Sequence, residues 1–108
     1  MLNRQDILDK NKDLFENEPE CRKVLEMLSC LSNKSRLKIL CLLREGEFNV
    51  SEIITVVGGK PSNISQQIKI LSLAGYIKGR RQEKHIFYSL TNETIRGVLD
   101  YLQKCYIN

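Results

Sequence analysis

The chain has 108 residues, of which 42% are hydrophobic and 28% are charged, and its formal net charge is +4. This length allows one domain with a modest core, and the composition is that of a globular protein, which argues against disorder. The sequence contains neither a run of ~18 apolar residues nor the apolar region of a signal peptide, so we expect no membrane span and a cytoplasmic protein. Four cysteines without a secretion signal favour free thiols over a disulfide framework.

The charges are unevenly distributed along the chain. Residues 60–85 contain six lysines or arginines and one acidic residue, a net charge of +5, whereas residues 1–20 contain three basic and six acidic residues, a net charge of −3. One end of the molecule would therefore attract a polyanion and the other would not. This asymmetry favours nucleic acid over a membrane surface as the partner.

Two amphipathic helices are predicted in the first third of the chain. In the first, apolar residues recur about two turns apart, at Ile7, Leu8, Leu14 and Phe15. Pro19 interrupts that pattern, and because proline is tolerated in the first turn of a helix, a second helix is predicted to begin near it. In the second helix the apolar residues fall at i, i+1, i+4 and i+7, at Val24, Leu25, Leu28 and Leu31.

A third helix is predicted over the segment SRLKILCLLRE, residues 35–45. Ser32 and Asn33 look like a break with an N-cap before it, and Gly46 is placed to end it. The side chains expected to point inward from this helix are Leu37, Leu40 and Cys41.

Residues 49–75 are predicted to form two helices around a tight turn. Asn49 and Glu52 have the spacing of a capping box before the apolar residues Ile53, Ile54, Val56 and Val57. Gly58 and Gly59 would end this helix and permit the turn, and Pro61 suits the start of the next helix. That helix has one inward stripe, and Gly75 closes it; the stripe consists of Ile64, Ile68 and Leu71.

Two strands and a last helix complete the predicted elements. The strands are expected at about residues 76–81 and 85–90, around a short polar turn of Gln82, Glu83 and Lys84. Thr91 or Asn92 would cap the last helix. Its inward residues are expected to be Ile95, Val98, Leu99 and Leu102.

This order of elements, together with four segments, resembles the winged-helix repressors of the ArsR/SmtB family. The segments are LSCLSNKSRLKILCLL (28–43), NVSEI (49–53), SNISQQIKILSLAGYI (62–77) and HIFYSL (85–90). The resemblance covers nearly everything from about Leu25 onward. It implies one mainly α winged helix-turn-helix domain with a small β-hairpin. In it, residues 49–75 are the helix-turn-helix, 76–90 the wing, and 1–18 and 92–106 the helices that form a homodimer.

The same resemblance implies a repressor that binds an inverted-repeat double-stranded DNA operator. The polar residues of the second helix of the helix-turn-helix are Ser62, Asn63, Ser65, Gln66, Gln67 and Lys69. Asn and Gln can pair with adenine edges, and Ser can contact bases or phosphates. The basic residues of the wing, which would neutralise phosphates, are Lys78, Arg80, Arg81 and Lys84. The competing interpretation is a merely solvated helix face and hairpin. Gln67 stands where a His is common in the family, and Lys60 with Pro61 alters the usual helix start.

The sequence offers little for a metal centre or a catalytic site. His85 is the single histidine, which is too few for the multi-histidine sites of some family members, and FNVSEI lacks the cysteine pair of many arsenic and cadmium sensors. We expect His85 to be a wing residue. The chain contains no nucleophile motif, P-loop or paired carboxylates, so we expect no enzyme and no cofactor.

The hypothesis about the signal that the protein senses rests on its cysteines. Cys41 matches the first thiol of the sulfide- and redox-responsive branch of the family, and Cys105 is the candidate second thiol, although it lies about two residues early in an ungapped count. In that branch, reactive sulfur or another oxidant links the two thiols and the repressor leaves its operator. Alternatively, Cys41 is a small buried hydrophobe.

Two other functions stay open at the level of the sequence. Cys30 could join Cys41 and Cys105 in a thiolate site for a soft metal or metalloid ion, which would make the protein a metalloid-responsive repressor. A winged helix can also bind a protein partner and no DNA. Packing or a free surface thiol is the better interpretation of Cys21 and Cys30 taken singly.

Overall fold

The computed structural model describes residues 1–16 and 18–106. Its elements in chain order are α1 (Arg4–Glu16), α2 (Glu18–Leu31), α3 (Lys34–Glu45), β1 (Phe48–Asn49), α4 (Val50–Val57), α5 (Pro61–Leu73), β2 (Ile77–Gln82), β3 (His85–Leu90) and α6 (Glu93–Tyr106). No helix in the described part of the chain is long and apolar enough to cross a membrane. The chain divides into two compact units, residues 1–30 and 31–108.

The first unit consists of α1 and most of α2. At the start of α1, the backbone N–H of Asp6 donates to Oδ1 of Asn3 at 2.8 Å, which caps the helix. Both predicted helices are confirmed, and Pro19 lies in the first turn of α2. Their apolar stripes, however, are largely exposed. The exposed apolar residues of the two helices are Ile7, Leu8, Leu14, Phe15, Val24, Leu25 and Leu28. The apolar faces of α1 and α2 are therefore largely accessible to solvent in the single chain.

The second unit contains a continuous core to which four helices contribute. The fully buried side chains are Ile39, Leu40, Leu43, Ile53, Ile64, Leu71, Ile95 and Leu99. The stripes predicted for α4, α5 and α6 supply most of these residues, but that of α3 is shifted. Leu37 and Cys41 are only half-buried. The run ILCLL is apolar over more than one helical face, so the pattern alone does not determine which face packs inward.

Capping and turn residues fix the relative positions of α4 and α5. The predicted capping box is confirmed, because the backbone N–H of Glu52 donates to Oδ1 of Asn49 and that of Asn49 to Oε1 of Glu52, each at 2.9 Å. Gly58 and Gly59 have φ values of 79° and 86°, in the left-handed region that glycine tolerates. Pro61 is the first residue of α5.

The strands form one antiparallel sheet in the order β1-β3-β2. The two-residue strand β1 was not predicted, and it pairs Phe48 with Tyr88 of β3. The predicted three-residue turn of the hairpin is also wrong, because Gln82 pairs with His85 and only two residues remain in the turn. Glu83, in that turn, has a φ of 57°.

Candidate nucleic-acid interface

Helix α5 has one buried apolar face and one exposed polar face. Ile64, Ile68 and Leu71 are buried as predicted. Of the residues predicted to contact DNA from this helix, those exposed to solvent are Ser62, Asn63, Ser65, Gln66 and Lys69. Hydroxyl, amide and ammonium groups on a continuous helical face are suited to donating to base edges and phosphates.

Gln67 does not belong to this exposed face, so its predicted placement there is wrong. The side chain is 8% exposed. Its Oε1 accepts a hydrogen bond from Nη1 of Arg36 on α3 at 2.9 Å, and its Nε2 donates to Oδ1 of Asn63 at 3.2 Å. The helical period explains the error, because residue 67 lies three residues after Ile64 and four before Leu71, in the middle of the inward stripe.

The wing presents Lys78, Arg81 and Lys84 to solvent. Arg80 differs, because it forms an ion pair with Glu47 in which Nε and Nη2 lie 3.0 Å from Oε2 and Oε1 respectively. Its guanidinium carbon also lies 5.3 Å from the centre of the Phe87 ring. The hydrogen bond from Arg80 lowers the pKa of Glu47. Arg80 thus anchors the wing to the segment before β1, and the other three cations are better placed for phosphates.

His85 lies at the first position of β3 and is exposed. Its ring centroid lies 6.4 Å from that of Phe87 in an edge-on arrangement. Within the described residues, the structure contains no cluster of three or more His, Cys, Asp or Glu side chains that could hold a metal ion.

The four cysteines are thiols, not disulfides, and lie in very different surroundings. Cys30 is buried, Cys21 and Cys41 are half-buried, and Cys105 is exposed in the last turn of α6. Partial burial raises the pKa of the Cys41 thiol, and the positive charge of Arg44, one turn later on α3, opposes this increase.

Arg44 also joins α3 to the helix that carries Cys105. Its Nε donates to Oδ1 of Asp100 at 2.5 Å, and its Nη1 donates to Oε1 of Gln103 at 2.6 Å. In return, Nη1 of Arg96 donates to the Arg44 carbonyl oxygen at 3.3 Å. Cys41 and Cys105 therefore belong to two helices held together by polar contacts around Arg44.

Comparison with known proteins identifies the family. The model of the arsR family of bacterial regulatory proteins matches residues 33–78, from the N-cap of α3 into β2. The biofilm growth-associated repressor of Agrobacterium fabrum is 32% identical over 85 residues, which cover 79% of this chain and 73% of that protein. The chain belongs to the arsR family.

Two further relatives define the extent of the similarity. The biofilm growth-associated repressor of Xylella fastidiosa is 39% identical over 74 residues, which cover 68% of this chain and 65% of that protein, so the alignment spans just under two thirds of that relative. The structure of reduced HlyU from Vibrio cholerae superposes with a TM-score of 0.81 at 27% identity and covers 86% of this chain and 98% of that one. The winged-helix fold that the sequence predicted is confirmed.

The matched arsR segment includes the predicted helix-turn-helix and Cys41, whereas the wing cations after Lys78 and Cys105 lie beyond it. Sequence reasoning missed three residues that support this segment, namely Arg36, Arg44 and Glu47. In the sequence, Arg36 and Arg44 look like ordinary polar positions of an amphipathic helix. No local pattern reveals their partners, because those partners are 31 and 56 residues away along the chain.

Proposed function

We propose that this arsR-family protein is a homodimeric transcriptional repressor that binds an inverted-repeat DNA operator and is released by oxidation of Cys41 and Cys105. The observation that carries the DNA-binding part is the exposed polar face of α5, followed along the chain by a wing with four exposed cations, of which Arg80 is paired with Glu47. The names of the two biofilm growth-associated relatives support repression.

DNA binding is tested with duplexes selected by the protein from a randomised inverted-repeat pool. Reversing Arg81 and Lys84 to Glu removes two wing cations and leaves the Arg80–Glu47 anchor in place. We expect weaker binding and a shallower dependence of log K on log salt concentration, by roughly 0.9 for each phosphate that the wing no longer neutralises. The matched control reverses Lys10 and Lys12 on α1, which changes the net charge equally.

Equal losses of affinity in the two variants, or no salt dependence in the native protein, would contradict DNA binding through the wing. A reporter gene placed behind the selected duplex extends the test to repression. Its expression should fall when the protein is present, and a rise would contradict repression.

The proposal that the protein is a homodimer rests on the exposed apolar stripes of α1 and α2. Among the described positions of these two helices, seven large apolar residues are exposed, in a chain of only moderate hydrophobic content. Isolated exposed apolar residues are normal, but stripes on consecutive helices mark an interface. In a two-fold dimer, the two copies of α5 would read half-sites about one DNA turn apart.

The release step is a two-electron oxidation of two thiols. With hydrogen peroxide, one thiolate attacks an oxygen and becomes a sulfenic acid, the second thiolate displaces water from that sulfur, and a disulfide results. With an organic trisulfide, the two thiols successively displace its two terminal thiolates, so that the central sulfur bridges the cysteines. Either link would constrain α3 against α6, next to the contacts of Arg44.

Mass spectrometry and DNA-binding measurements together test this release step. The native protein treated with peroxide or an organic trisulfide should show a Cys41–Cys105 cross-link, heavier by about 32 Da for each added sulfur, and should lose affinity for the selected duplex. The Cys105→Ser variant should keep its affinity under the same treatment, whereas the control Cys21→Ser should behave like the native protein. If Cys105→Ser were released as readily as the native protein, the proposed pair would be wrong.

A further inference from the structure

A chain of hydrogen bonds leads from α3 to the exposed face of α5. It begins at Arg36, whose Nη1 donates to Oε1 of Gln67 at 2.9 Å, and continues from Nε2 of Gln67 to Oδ1 of Asn63 at 3.2 Å. Gln67 is buried and Asn63 is exposed. A buried amide therefore connects an arginine to a side chain on the surface that would face DNA.

Arg36 fixes which group donates and which accepts in each of these hydrogen bonds. A guanidinium group has donors and no acceptor, so Gln67 must turn its oxygen toward Arg36 and its nitrogen toward Asn63. Asn63 must then turn its oxygen inward to accept. Its Nδ2 makes a contact of 3.5 Å with Oγ of Ser35, at the long limit for a hydrogen bond. The amide of Asn63 is therefore oriented to act on the exposed side as a donor.

We propose that Asn63 is a specificity-determining residue that reads one base pair as a hydrogen-bond donor, and that Arg36 and Gln67 are positioning residues that set its polarity. The inference rests on the proposed DNA binding. Asn63 is the third residue of α5, and the N-terminal residues of a recognition helix contact base edges.

A donor-only Asn63 favours a different base from the one first expected. Bidentate pairing of an asparagine with adenine needs the amide oxygen and nitrogen together, and here the oxygen is directed at Gln67. In the major groove, guanine presents two acceptors whereas cytosine presents a donor. Asn63 should therefore prefer G·C to C·G at the pair that it contacts.

Two substitutions change the donor and acceptor order of these hydrogen bonds in different ways. Gln67→Glu keeps the shape of the side chain and its bond from Arg36, but a carboxylate only accepts. Asn63 must then donate to it with Nδ2 and present Oδ1 outward, which reverses the preference toward cytosine. Arg36→Met removes the obligatory donor, so that either orientation of the two amides is allowed and the preference approaches parity.

The experiment compares dissociation constants for paired duplexes derived from a sequence that the native protein selects from a randomised inverted-repeat pool. Asn63→Ala first identifies the base pair whose discrimination depends on Asn63. At that pair, the native protein should favour G·C over C·G by about tenfold, which corresponds to about 1.4 kcal/mol. Gln67→Glu should favour C·G, and Arg36→Met should show a ratio near one. Each ratio compares two duplexes bound by the same variant, so any uniform effect of its altered charge on DNA affinity cancels.

The double variant Asn63→Ala, Gln67→Glu is the matched control, and it should show no preference at that pair. Several results would overturn the inference: a uniform loss of affinity across all sequences in Asn63→Ala, which marks a phosphate contact, or native preferences retained in a folded Gln67→Glu. If Gln67→Glu failed to fold, an unchanged ratio in Arg36→Met would overturn it instead. Failure of the native protein to select any duplex would refute the proposed function itself, and the inference with it.

Discussion

At the scale of single residues, Arg44 combines a structural and an electrostatic role. Its guanidinium bonds to Asp100 and Gln103 on α6, and its charge also acts on the thiol of Cys41. Burial and charge therefore oppose each other at Cys41. The thiolate is the reactive form of a cysteine, so the balance between these two effects sets how readily Cys41 reacts.

Replacing Arg44 with Met should slow the reaction of Cys41 with iodoacetamide near pH 8. Loss of the positive charge leaves desolvation unopposed, so the pKa of Cys41 rises further and the fraction of thiolate falls. Mass spectrometry of the digested protein measures the alkylation rate of each cysteine separately, and the rate of Cys105 serves as an internal reference. Asp100→Asn, which breaks the ion pair but keeps the cation, is the matched variant and should not slow Cys41. Equal slowing in both variants would show that packing between the helices, and not charge, controls the thiol.

The ion pair between Glu47 and Arg80 predicts a pH dependence of stability. Arg80 lowers the folded-state pKa of Glu47 below the ordinary value of 4.5. A lowered carboxyl pKa contributes stability that is fully present above the unfolded value and is lost as the pH falls through the folded value. Glu47→Gln should therefore have a lower urea midpoint than the native protein at pH 7. The difference should shrink below about pH 4.5 and vanish in stronger acid. A difference that persisted at low pH would exclude the carboxylate as its source.

At the scale of elements, the wing depends on one close approach between its strands. A Cβ added at Gly79 of β2 would lie 2.8 Å from Cγ2 of Ile86 and 3.0 Å from Cε1 of Tyr88. Cγ2 is bound directly to the β-carbon of a branched side chain, so it cannot move aside easily. The glycine thus allows the exposed strand β2 to lie against the side chains of β3.

Gly79→Ala should destabilise the protein by about 1 kcal/mol or more, because the wing must separate to admit the methyl group. Gly97 on α6 offers a matched substitution, since a Cβ there meets nothing within 4 Å. Gly97→Ala should stabilise the protein by up to about 1 kcal/mol through helix propensity. Urea unfolding of both variants measures the difference. Equal effects of the two substitutions would show that the wing tolerates a side chain at residue 79.

The elements also show what sequence patterns reveal. The capping box at Asn49 and the inward stripe of α5 are predictable, because their signals lie within a few residues. The two-residue strand β1 is not, since it is too short for an alternating pattern and is defined by its pairing with Tyr88. The prediction for Gln67 is wrong although its helical position points inward. A polar residue on a buried face needs a partner, and here the partner, Arg36, comes from another helix.

At the scale of the whole molecule, the two units differ in how they bury apolar surface. Residues 31–108 enclose a core of fully buried large side chains, whereas α1 buries no residue. A stable amphipathic helix usually gains its stability by packing its apolar face. A second copy of the chain, as in the proposed dimer, would cover the apolar stripe of α1.

Phe15→Glu should weaken the dimer. Phe15 is 68% exposed in the single chain, and burial of its ring in an interface is worth about 2 kcal/mol. A two-fold interface loses this contribution twice, so the dimer dissociation constant should rise at least a hundredfold. Sedimentation equilibrium over a range of concentrations measures the shift. The control, Leu73→Glu, alters a residue of α5 that is 79% exposed and should leave the association unchanged.

The same variant separates dimerisation from DNA recognition. A monomeric Phe15→Glu protein keeps α5 and the wing intact, but it loses the effective concentration that one bound subunit gives the other. Its affinity for a single half-site should equal that of the native monomer, while its advantage on the full inverted repeat should disappear. If Phe15→Glu stayed dimeric, α1 would lie outside the interface. If it were monomeric yet bound the full repeat as tightly as the native protein, the two recognition helices would act independently.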